Sequence, residues 1–214
     1  MTESAYKQVT GYMDRLHADI GKLVVLLERL LEEKGFVPFP SAGNRGSWGL
    51  SSHYAYPDRW RIPNISRFYA PREAFEVFPE GEEQLETSLL YFISLETDTV
   101  FPFPAMLCAR IAHPPLPEKE LYSKVWHIDR LLSLAQEEPR WRAIREENGW
   151  YVAEPADGAP INRLQGYFLN VFDLVDRRHV IDNVVAPLTS ANAHLDELLT
   201  VPRYGFGTYK EEKV

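Results

Sequence analysis

With 214 residues the chain has the length of a single domain and can bury a core without disulfide or metal staples. Its 45% hydrophobic and 25% charged content excludes a disordered chain, and its one cysteine, Cys108, excludes an internal disulfide. A net charge of −8 and a pI near 5.3 speak against bulk binding of phosphate backbones.

The first segment carries the plainest pattern. Tyr6, Val9, Met13, Leu16, Ile20, Leu23, Leu27 and Leu30 recur at alternating spacings of three and four, which predicts one amphipathic helix over residues 1–34. Lys34-Gly35 is the expected stop, a basic last turn followed by a residue that tolerates the left-handed region. Val24, Val25, Leu26 and Leu31 widen the apolar stripe beyond a coiled-coil seam, so the second half is expected to lie on a sheet. The first half has two destinations: the same core, or a second copy of the chain in a homodimer. The chain opens Met-Thr-Glu-Ser without a signal-like apolar region, and its longest apolar run, Leu23 to Leu27, is far short of the ~18 residues of a membrane span. A cytoplasmic protein with no membrane partner is expected.

Ser41 to Ser52 is rich in glycine and serine and reads as a loop. Short aromatic strands follow at Tyr54 to Trp60, Ile65 to Tyr69 and Phe75 to Phe78, bracketed by Pro57, Pro63, Pro71 and Pro79. Glu80 to Glu86 is an acidic connector. Thr87 to Leu95 predicts an interior strand because both alternating faces are apolar. After a turn at 96–99, Val100 to His113 is its antiparallel partner, and Pro114, Pro115 and Pro117 are expected to stop the sheet. A helix over Glu118 to Glu137, a short helix around Arg140 to Glu147, and strands at Gly149 to Glu154 and Gly166 to Val175 come next. A turn at 156–160 separates these two strands. The last helix spans Asp182 to Leu199, with Pro187 in its first turn or at a kink. Residues 203–214 read as a polar tail. Grouped strands give an α+β fold: a predominantly antiparallel sheet, a long N-terminal amphipathic helix, and further helices packed on one face, all in one domain (1–214).

Charge is unevenly placed. Between Ser41 and Arg72 five arginines (Arg45, Arg59, Arg61, Arg67, Arg72) face one acid, Asp58, so this segment carries +4 and the remainder −12. Trp48, His53, Tyr54, Tyr56, Trp60, Phe68 and Tyr69 are interleaved with them. Guanidinium groups match carboxylate and phosphate oxygens, and aromatic faces stack on rings. Arg45, Arg59, Trp60, Arg61 and Arg67 are therefore the candidate ligand-binding residues, for an anionic small molecule or an acidic protein surface. The competing account puts the aromatics in the core and pairs the arginines with the chain's excess acids.

Other constellations are weaker. Gly43-Asn-Arg-Gly46-Ser47 shares only its composition with a phosphate loop, lacking the lysine and the following helix. Glu96 and Asp98 fit a turn without a cation, and the six histidines show no ligand-type spacing, so no metal or cofactor is expected. Cys108 lies in an apolar run and reads as a buried hydrophobe. Arg177 and Arg178 are expected to pair with acids. The leading expectation is a non-catalytic binding or regulatory protein. The alternative is a small-molecule enzyme, such as a hydrolase, with its site in the aromatic groove and His53 as general base.

Overall fold

A computed structural model of the chain describes residues 3–38, 64–76, 85–95, 103–116, 141–155, 161–190 and 193–204. The predicted elements at 41–52, 54–60 and 118–137, and the turns at 96–99 and 156–160, lie outside these residues.

Helix α1 spans Glu3–Glu33. The Lys34 and Gly35 amides bond back to Leu31 and Glu32, and Gly35 takes φ +81, the left-handed value that glycine adopts without strain. The last turn itself holds Glu32 and Glu33 and no base, since Lys34 falls just beyond it. Ile20, Val24, Leu27, Leu30 and Leu31 are buried against the sheet, as the widened stripe predicts. Each such leucine contributes about 2 kcal/mol relative to an exposed one. Val25 faces outward.

Among the described residues eight strands form one sheet: β1 (Phe36–Pro38), β2 (Asn64–Pro71), β3 (Leu85–Ser94), β4 (Ala105–Leu116), β5 (Trp141–Glu147), β6 (Trp150–Pro155), β7 (Arg163–Asn170) and β8 (Arg203–Tyr204). Their order is β1-β2-β3-β4-β7-β6-β5, with β8 beside β7, and every pairing is antiparallel. β3 is the interior strand its pattern predicts. Leu89, Tyr91 and Ile93 enter the core under α1, whereas Leu90 enters the core on the opposite face.

Several predicted elements differ. The segment around Arg140 to Glu147 is strand β5, because Asn148 (φ 52) and Gly149 (φ 80) form a two-residue hairpin turn joining it to β6. A Cβ at Gly149 would also lie 2.9 Å from that of Leu195. Phe75 sits in a single helical turn, α2 (Glu73–Glu76), not in a strand. β4 continues through Pro114 and Pro115. The register jumps from Thr87↔Ala112 to Leu85↔Leu116, so three residues of β4 face Glu86 alone. Prolines are tolerated in such a bulge because no ladder amide is required of them.

The last predicted helix begins earlier and is divided. After β7 and a 3-10 turn (Val171–Asp173), α3 (Arg177–Val180) runs into a π-helical turn (Ile181–Val185) and then α4 (Ala186–Thr189); α5 (Leu195–Leu198) is separate. Asp176 caps α3 by accepting from the His179 amide at 2.9 Å. Pro187 lacks the amide that would serve the Asn183 carbonyl, and the Tyr167 hydroxyl donates to that carbonyl instead, at 2.7 Å. Val180, Val184, Val185, Leu188 and Leu195 share the core that α1 covers. Arg203 and Tyr204, read as the start of a tail, pair with Leu169 and Phe168.

Candidate functional site

Of the candidate residues, Arg45, Arg59, Trp60 and Arg61 lie outside the described residues, as does His53. The described end of the arginine segment is β2 and the turn after it. Alternation along β2 sends Arg67 and Tyr69 toward α1 with Ile65, and Phe68 and Ala70 to the other face.

Arg67 stands opposite Tyr91, and its Nε donates to Glu28 of α1 at 3.3 Å. Arg72 donates to Glu32 at 3.2 Å, and its backbone amide bonds to the Gly35 carbonyl at 2.8 Å. One turn apart on α1, Glu28 and Glu32 thus hold two of the five arginines. Glu33 receives Arg29 at 3.2 Å and Arg177 at 3.5 Å. Carboxylates near a helix C-terminus are disfavoured by its dipole, and here guanidinium groups gather around them. The pairing of Arg177 and Arg178 with acids is as predicted, Arg178 reaching Asp182 at 3.4 Å.

Beneath this ion-pair row, Tyr69 and Tyr91 pack with ring centroids 5.9 Å apart. Both are buried, and among the described residues neither hydroxyl meets a hydrogen-bond partner of normal geometry beyond its contact with the other. Burial pushes both phenols well above their ordinary range; their contact with each other lowers Tyr69 and raises Tyr91, the Glu28 charge adds to the rise, and Arg67 opposes it. They therefore stay neutral at physiological pH. The seam between α1 and β2 offers one paired cation and two buried donors. That chemistry positions and binds; it supplies no nucleophile.

A second polar pair lies on the opposite face. Ser88 and His113 are buried 2.9 Å apart, with His113 Nδ1 3.0 Å from the Pro114 carbonyl. A carbonyl only accepts, so Nδ1 carries the proton and Nε2 receives the Ser88 hydroxyl. This is the hydrogen-bonding order of a nucleophile and its base. Both side chains are nonetheless at most 2% exposed, so the contact satisfies two buried polar groups beside the β4 bulge. No sequence spacing announces it, since the residues are 25 apart and joined only by strand register.

Cys108 is wholly buried, and burial pushes its thiol far up, with Tyr167 opposing. It is the inert hydrophobe its context predicts. Arg110, the nearby cation, is committed elsewhere: it donates to the carbonyls of Pro187, Leu188 and Ser190 at the end of α4 and lies 4.9 Å from the Trp150 ring centre. Among the described residues, no group of three His, Cys, Asp or Glu could hold a metal ion, and no helix is long and apolar enough to cross a membrane. No protein-family model, curated protein or solved structure matches the chain.

Proposed function

We propose that the protein is a non-catalytic binding or regulatory protein that holds an anionic ligand or acidic partner through the arginine and aromatic segment at 45–72. The observation that carries this reading is the +4 charge of the segment in a chain of net charge −8; at its described end Arg67 and Arg72 pair with Glu28 and Glu32, and Phe68 and Tyr69 are buried, as the competing account expects. The pairing fastens that end onto α1, and two of the guanidinium groups already take carboxylate partners. Arg45, Arg59, Trp60 and Arg61 would supply the contacts to the ligand.

The same reading places the protein in the cytoplasm and gives the first half of α1 to a second copy of the chain. Light scattering checks that assembly: a monomer at working concentration removes it.

The binding reading has a direct test in the double variant Arg59→Ala/Arg61→Ala. With a fluorescein-labelled hexaglutamate as probe, each lost charge contact should lower affinity and flatten its dependence on salt. Equal affinity and equal salt slope in wild type and variant would remove these arginines from the function.

A further inference from the structure

We draw no further inference here: the strongest candidate, the exposed apolar patch of Phe172 and Val175 on the connection between β7 and α3, carries nothing because nothing in the structure shows what covers it.

Discussion

Two polar seams lie under helices on the same face of the sheet, and they are finished differently. Under α3 and α4 nearly every polar group has a partner. Arg110 closes the helix end, Trp150 Nε1 donates to the Ala193 carbonyl at 2.8 Å, Tyr167 serves the carbonyl freed by Pro187, and Asn183 binds through both ends of its amide. Under α1, Arg67 has its glutamate, yet among the described residues the hydroxyls of Tyr69 and Tyr91 have no partner of normal geometry beyond each other. A satisfied buried network specifies one arrangement, whereas an incomplete one tolerates change. The first seam is a lock on the fold. The second is less fully bonded, and it adjoins the segment proposed to bind.

The largest consequence falls on Asn183. Its Oδ1 accepts from the amides of Thr200 (2.7 Å) and Val201 (3.2 Å), while Nδ2 donates to the His179 carbonyl and to Thr200 Oγ1, both at 2.9 Å. Asn183→Ala would strand both amides and free the segment that leads into β8. A loss of about 3 kcal/mol is expected in urea unfolding at pH 7. A loss below ~1 kcal/mol would show that solvent replaces these bonds and that the seam is no lock.

The contrast between the seams also separates what the sequence reveals from what it conceals. Periodicity alone exposes α1, its burial from Ile20 onward, and the interior position of β3, because those features depend on neighbours within a few residues. The hairpin joining β5 to β6 was legible too: Asn148-Gly149 is a strong two-residue turn signal, and it outweighs the helical reading of Arg140 to Glu147. The divided helix was not legible. Pro187 reads as a start or a kink unless Tyr167 is known to serve the Asn183 carbonyl, and that contact comes from a strand. The site is similarly split. Its arginine excess is visible in composition, but Glu28 and Glu32 precede their partners by 39 and 40 residues. Two acids one turn apart at a helix C-terminus, against the dipole, were the available hint.

A pair of matched substitutions compares the seams group for group. Tyr167→Phe removes a hydroxyl that donates at 2.7 Å and should cost about 1 kcal/mol. Tyr91→Phe removes one that, among the described residues, meets only the Tyr69 hydroxyl outside normal geometry, and should cost less than Tyr167→Phe in the same urea experiment. Equal losses at the two positions would mean that the α1 seam is as fully bonded as the other.

The smallest effect is invisible at neutral pH and emerges only in alkali. Burial raises the phenols of Tyr69 and Tyr91 under α1, and that of Tyr167 under α3 and α4. A phenol whose folded value exceeds its unfolded value of about 10 stabilises the fold fully below that pH, and the contribution is lost as pH rises beyond it. In a spectrophotometric titration these three should stay protonated past pH ~10 while exposed tyrosines ionise, then titrate in a delayed phase as the chain opens. The seams should differ in one respect. The α1 seam, with fewer hydrogen bonds among the described residues and an adjoining exposed ion pair, should open at lower pH, so Tyr91→Phe should remove absorbance from the earlier part of the delayed phase and Tyr167→Phe from the later part. If all eleven tyrosines ionised near pH ~10 with native circular dichroism, water would already reach both seams and the distinction between them would collapse.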